Sequence, residues 1–463
     1  MVPMVLLLPV LLVQGGGGGG GCGGCNGGGR TLTFSAPSRV YPRGNETART
    51  FGTLYADGFY AMDGNLNAAR TGGEPPVLFG VPGVIGNTTV NNHAVLSTDG
   101  GQSWRPWYPA RYIDPRTGYP FTAVPNLPPK GYPKPRTAGA IATPGPPPGI
   151  HDLGNACSSR KGTPQRIFAN DGSVGSWAPG PGGAAGPAGP SHRSVAATVS
   201  FSALPVPLNC TEGGATADCF WLHAGGTVAL PVALGGGLLM TNCVPWLHGR
   251  FGATAAGAGV FAWHSTDGFS WNYRGTVITA SQIPVSGEGP NENDVALLAD
   301  GVTLLSVFRV DDGVDGGAVG AKNYRSATSI DGGRTWSAPT EMIDIGGRGI
   351  GVARPRLLML GGDGPLLLSG GRLYTEHTRD ILLWVCWDGM GRRWEPHSVS
   401  YQHNLRVAPA ALRFDASVNA TTGRATTSYT SLLRLGVGRA CLVYNGDTGI
   451  FAMEIGGLRG TVV

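Results

Sequence analysis

Apolar residues in this chain come in short runs, broken at close intervals by glycine-rich turns. Residues 259–264, 324–328, 295–299 and 302–308 are each too short for a globular helix, and each borders an Asp-Gly or Gly-rich turn. The pattern predicts β-strands joined as hairpins. Two apolar strands meet at Ala299-Asp300-Gly301, and residues 351–360 turn at Asp363 into 365–372. A further pair spans 427–433 and 440–444.

Composition supports an all-β reading. The 463 residues include 78 Gly and 36 Pro, about a quarter of the chain, where roughly an eighth is usual. Both residues oppose helix interiors, so a helical bundle or coiled coil is excluded. No Gly-X-Y period runs through the chain, which excludes collagen. With 41% hydrophobic residues there is enough apolar material for a large core, so wholesale disorder is excluded too. The formal net charge of +5 is spread along the chain without a Lys/Arg cluster, so nucleic acid is not an expected partner.

The N-terminal 1–29 reads separately. Its apolar run, 5–13, is too short for a membrane span of about 20 residues and fits the core of a secretory signal, with a Gly-rich tract behind it. Sequons at Asn45, Asn87, Asn209 and Asn419 agree with a secreted glycoprotein. Cys210 and Cys219 are close enough in sequence to staple a loop, whereas Cys22 and Cys25 have no companion ligands for a metal site. No membrane span, metal or other cofactor is expected.

One short motif recurs. Ser97-Thr98-Asp99-Gly100-Gly101-Gln102-Ser103-Trp104 returns at Ser265-Thr266-Asp267-Gly268-Phe269-Ser270-Trp271, one residue shorter. It returns again at Ser329-Ile330-Asp331-Gly332-Gly333-Arg334-Thr335-Trp336, and in degraded form from Trp387-Asp388-Gly389 to Trp394. The physical logic is that Asp folds back onto backbone N–H groups, Gly supplies positive φ, and Trp packs beneath the hairpin. Asp267, Asp331 and Asp388 are spaced by roughly 60 residues, the length of one four-stranded propeller blade with its loops. The longer gap before Asp267 holds a Pro- and Gly-rich stretch, 112–190, which reads as an inserted low-complexity loop.

These motifs resemble the Asp boxes (BNR repeats) of the sialidase, or neuraminidase, superfamily. The resemblance implies a six-bladed β-propeller of four-stranded antiparallel blades over 30–463, in which the boxes themselves are structural turns. It extends to the second half of the chain. Asn291-Glu292-Asn293-Asp294-Val295, the Asp300-Gly301 turn and the strand ending at Arg309 resemble the segment carrying the family's general base and second arginine. The strand pair ending at Arg372 resembles the one carrying the third arginine. Thr427-Ser428-Tyr429-Thr430-Ser431-Leu432, followed by 440–444, resembles the segment of the catalytic tyrosine.

The resemblance therefore implies Tyr429 as nucleophile, Glu292 as its base, and Arg309 and Arg372 as part of a triad gripping a substrate carboxylate. A neutral tyrosine suits a sugar that carries its own carboxylate at the anomeric carbon, because a carboxylate nucleophile would be repelled. Arg49 is the candidate for the first arginine and Arg43 its rival. Here the pattern departs from the family. The Ile-Pro after the first arginine is missing, and Asn87, Asn91, Asn92 and His93 stand where the acid/base Asp belongs; Glu74 and Asp63 are the nearest carboxylates. Asn445 replaces a usual Glu after Tyr444. The expected activity is release of a terminal sialic acid or related 2-keto acidic sugar with retention. The alternative is a non-catalytic propeller that binds acidic glycans.

Overall fold

A computed structural model describes residues 31–42, 94–97, 99–107, 223–244, 259–266, 270–283, 289–311, 323–351, 353–361, 364–373, 379–407, 414, 429–446 and 449–458. It also describes the backbone of short strands between 53 and 217. Unit 32–463 is one compact body by its contacts. The Gly-rich N-terminus, the four sequons, Cys219, Arg43, Arg49, Asp63 and Glu74 lie outside the described residues.

The expected hairpins are present and join into sheets in chain order. Gly289–Leu297, Leu304–Asp311, Arg325–Ser329 and Thr340–Glu341 form one four-stranded antiparallel sheet. Arg356–Met359, Leu366–Leu373, Arg379–Cys386 and Glu395–Ser398 form the next. Near the N-terminus, Phe59–Ala61, Leu78–Gly80, Ala94–Ser97 and Arg105–Trp107 form another. The last sheet takes Thr430–Gly436, Arg439–Gly446 and Gly449–Gly456 from the C-terminal end. It is completed by Thr33–Phe34 and Ser38–Pro42 from the other end, both paired with Gly449–Gly456. Successive four-stranded sheets, with both ends of the chain sharing one sheet, are the arrangement of a β-propeller.

Residues 112–190, expected to be an inserted loop, contain strands. Thr137–Ala142, Ile150–Gly154 and Gln165–Val174 pair in sequence order, and Gln165–Val174 pairs in turn with His192–Ser200, just past the stretch. The last of them runs parallel to Ser270–Thr279, so an eight-stranded sheet results, completed by His223–Ala229, Leu238–Val244 and Gly259–Ser265. Pro and Gly between the strands dominate the local composition and hide short runs such as Ile167-Phe168-Ala169. A second departure is the helix Val399–Arg406, capped by the Ser398 hydroxyl accepting from the Tyr401 N–H.

The core lies between sheets. Leu367, Ile381, Leu383 and Val385 pack against Leu442, Tyr444, Phe451 and Ile455 of the last sheet. Their neighbours Leu366, Leu368, Leu382 and Trp384 face the other way, onto Leu305, Val307 and Tyr324 of the preceding sheet. Because both faces are covered, these strands read as continuous apolar runs rather than as apolar–polar alternation.

The recurrent turns share one hydrogen-bond scheme. The Ser97 hydroxyl donates to Asp99 (2.7 Å) and accepts from the Gly101 N–H (2.8 Å). Ser329, Asp331 and Gly333 repeat these bonds at 2.8 and 2.9 Å. In the degraded copy a thiol replaces the hydroxyl: Cys386 donates to Asp388 at 3.0 Å and accepts from the Gly391 N–H at 3.1 Å. Trp104, Trp336 and Trp394 each donate their indole N–H to a glycine carbonyl at 3.1 Å. Gly332 and Gly333, at φ 71 and 88, occupy the left-handed region that a side chain would resist. The 267–269 part of the second copy lies outside the described residues, although Trp271 is buried.

Candidate active site

In an antiparallel sheet the first strand begins, and the second ends, at the same edge. That edge lies opposite the Asp300-Gly301 turn and the Ser329–Trp336 turn. Glu292 sits near the start of Gly289–Leu297 and Arg309 near the end of Leu304–Asp311. Between the pairs Pro290–Val310 and Asn293–Phe308 the register shifts, so Asn291 and Glu292 together face Arg309 alone. Such a bulge re-aims a side chain that regular alternation would direct elsewhere. The turn below is held by Asp300, whose carboxylate accepts the Val302 and Thr303 N–H groups and the Thr303 hydroxyl at 3.0, 2.8 and 2.6 Å.

Tyr429 precedes the strand Thr430–Gly436 of the last sheet. Its hydroxyl donates to Glu292 Oε1 at 2.6 Å. Arg309 Nη1 donates to the other carboxylate oxygen, Oε2, at 2.9 Å and to the Tyr429 oxygen at 3.3 Å. The three groups therefore form a closed triangle. Glu292 is 4% exposed, and the Arg309 side chain keeps 19% of its surface open. The carboxylate is thus desolvated, yet compensated by a cation and a hydroxyl donor.

Residues that the sequence did not single out support this triangle. The Thr430 and Ser369 hydroxyls bond at 2.6 Å, both fully buried, and tie the strand after Tyr429 to Leu366–Leu373. Asp294, two residues beyond Glu292, accepts the Leu357 N–H at 2.8 Å and the Val295 N–H at 2.9 Å. A Cβ on Gly226 would lie 1.7 Å from the Asp294 carboxylate, so only glycine admits so close an approach from His223–Ala229. The fully buried Arg354 donates to the Gly225 carbonyl at 2.8 Å. Ala353 beside it has φ 62, a strained value for a residue with a Cβ. The Gly225-Gly226 pair was the available signal for this approach, since adjacent glycines inside a strand mark a close backbone contact.

The other expected residues fare differently. Arg372 stands on Leu366–Leu373 opposite Asp380, but its side chain lies outside the described residues, as does all of Arg49. Tyr444, in the neighbouring family-like segment, is fully buried and bonds His403 Nδ1 at 2.8 Å among Phe414 and Phe451. Burial pushes its phenol well above the ordinary range, so it is a structural tyrosine where Tyr429 is half-buried. Among the described residues, no group of three or more His, Cys, Asp or Glu could hold a metal ion, and no helix is long and apolar enough to cross a membrane.

No protein-family model and no curated protein matches the sequence. Solved structures do. A protein of unknown function from Dyadobacter fermentans superposes with a TM-score of 0.51 at 13% identity, covering 92% of this chain and 99% of that one, and the two share a fold. An alpha-L-arabinofuranosidase from Fusarium graminearum gives 0.49 at 12% identity, with coverage of 92% and 98%. A Hadza microbial sialidase gives 0.49 at 13% identity, over 87% of this chain and 65% of that chain.

Proposed function

We propose that the chain is a sialidase-like exo-glycosidase that releases a terminal sialic acid or related 2-keto acidic sugar with retention. The observation that carries this reading is the 2.6 Å hydrogen bond from Tyr429 to Glu292. A phenol is a poor nucleophile until a base takes its proton, and a carboxylate within hydrogen-bond reach supplies that base. Glu292 accepts the proton, the Tyr429 oxygen attacks the anomeric carbon, and water later cleaves the glycosyl-tyrosine. Arg309, Arg372 and Arg49 would pair with the sugar carboxylate, which a planar guanidinium can meet with two parallel N–H donors.

The same proposal includes six blades closed by Asp-box turns. It is supported by the sequence of neighbours among first strands: Phe59–Ala61, Thr137–Ala142, His223–Ala229, Gly289–Leu297, Arg356–Met359 and Thr430–Gly436 lie side by side in that order, and the last returns to the first. Secretion is also part of it, on the strength of the apolar 5–13 run and the sequons. A glycan-dependent mobility shift of the secreted protein tests that part.

Hydrolysis of an aryl sialoside by the full chain tests the activity. An aryloxide leaves without an acid, so this substrate reports the nucleophile and its base whether or not an acid is present. One observation favours the second reading, a non-catalytic glycan binder: the Asn87, Asn91, Asn92 and His93 stretch carries no Asp. Saturable, Arg309-dependent binding of sialylated glycan without product from either aryl or natural sialosides would establish that reading and sink the first.

A further inference from the structure

The resemblance to sialidases assigns Arg309 to the substrate carboxylate, and its placement serves a second group as well. Nη1 reaches the Tyr429 oxygen at 3.3 Å and Glu292 Oε2 at 2.9 Å. We propose that Arg309 is a catalytic residue that acts on the Tyr429 oxygen, holding it as a phenolate once Glu292 has taken its proton. The inference rests on the reading of Tyr429 as nucleophile.

The step balances within the triangle. The Tyr429 O–H bond breaks and its proton passes along the 2.6 Å bond to Glu292 Oε1. The phenolate electron pair forms the bond to the anomeric carbon, and the electrons of the glycosidic bond leave on the aglycone oxygen. Before the transfer the Arg309 charge is balanced by a carboxylate. Afterwards that carboxylate is neutral and the negative charge has moved to the phenolate, which the same Nη1 already faces. The cation need not move to follow the charge, so no reorganisation accompanies proton transfer.

Among the described residues, two charged side chains meet the phenol: Glu292 from Gly289–Leu297 and Arg309 from Leu304–Asp311. The next carboxylate along that strand, Asp294, is turned to the Leu357 and Val295 N–H groups, and Arg354 to the Gly225 carbonyl. Arg309 is thus a cation placed to favour the ionised phenol directly. Adding a cation within about 4–6 Å typically moves an ionisation by about one to three pH units.

The test places 3-fluorotyrosine at position 429 of the full chain and follows its fluorine resonance against pH, a measurement that needs no turnover. Arg309→Gln is expected to raise the titration midpoint by about one unit or more, with Arg309→Lys restoring part of the shift. The rise must persist in a Glu292→Gln background, which separates action on the phenol from action through the carboxylate. A midpoint unmoved in both backgrounds overturns the inference. Kinetics give a second measure: Arg309→Gln should lower kcat on aryl glycosides with and without a carboxylate, whereas a carboxylate grip alone affects KM for the former only. If the midpoint moves but no aryl glycoside is cleaved, the hydrolase reading fails while the role of Arg309 toward the phenol stands.

Discussion

Tyr429 donates a 2.6 Å hydrogen bond to Glu292, a residue 137 positions earlier in the chain. The bond joins the last sheet to the sheet that begins at Gly289. Arg309, 17 residues after Glu292, completes the triangle from the same hairpin.

Tyr429→Phe should abolish hydrolysis of an aryl sialoside, lowering kcat by about three orders of magnitude or more. The loss of stability should stay modest, because a hydrogen bond to a charged group is worth about 1.5–3 kcal/mol. Tyr444→Phe makes the control: it loses the bond to His403, with a small cost in stability, and retains activity. Initial rates and melting curves of both variants check the pair, and substantial turnover by Tyr429→Phe removes the mechanism.

Gly226→Ala should be among the most damaging single-methyl changes in the molecule. The added Cβ would lie 1.7 Å from the Asp294 carboxylate and 2.7 Å from the Val295 backbone nitrogen. Overpacking of this kind costs about 1–3 kcal/mol, and displacement of Gly289–Leu297 carries Glu292 with it. Urea unfolding and kcat should therefore fall together. Preserved kcat in a destabilised variant would show that the close approach matters to folding alone.

Asp331 provides a pH test. Burial opposes its charge, but the Thr335 hydroxyl and N–H, the Ser329 hydroxyl and the Arg334 N–H outweigh that and hold the carboxyl down at about 2. A carboxyl whose folded value is depressed contributes stability above its unfolded value of about 3.9 and loses it as pH falls through the folded value. Asp331→Asn should thus be less stable than the parent above about pH 4, with the difference shrinking toward pH 2. Melting midpoints of the two proteins across that range decide it, and a difference independent of pH would contradict the ionised turn.

Leu367→Ala should cost about 2–5 kcal/mol, since Leu367 is fully buried between two sheets and the surrounding strands cannot collapse onto the cavity. Denaturant unfolding measures this directly. A loss below about 1 kcal/mol would mean that the contact between the last two sheets is looser than their shared cluster implies.

The sequence by itself determined what is local. In the Ser329 turn the hydrogen-bond partners of Asp331 among the described residues lie within four residues, so spacing alone specifies these hydrogen bonds and the positive-φ glycines. Glu292 and Arg309 are likewise bound to one edge by a single short hairpin turn at Asp300. In 112–190, Pro and Gly between the strands outweigh the strands themselves in the composition.

Tertiary structure alone decided which edges meet. Thr33–Phe34 closes onto Gly449–Gly456, the Arg354 guanidinium finds the Gly225 carbonyl 129 residues away, and Ser369 meets Thr430 across a sheet boundary. An apolar run specifies that a face is buried, but not which sheet covers it. The bulge that turns Glu292 toward Tyr429 depends on pairing with Leu304–Asp311 and on the sheet packed beyond it. Local chemistry therefore wrote the turns and hairpins, while the packing of sheet on sheet, with Thr33–Phe34 and Ser38–Pro42 paired to Gly449–Gly456, brought tyrosine, carboxylate and arginine together.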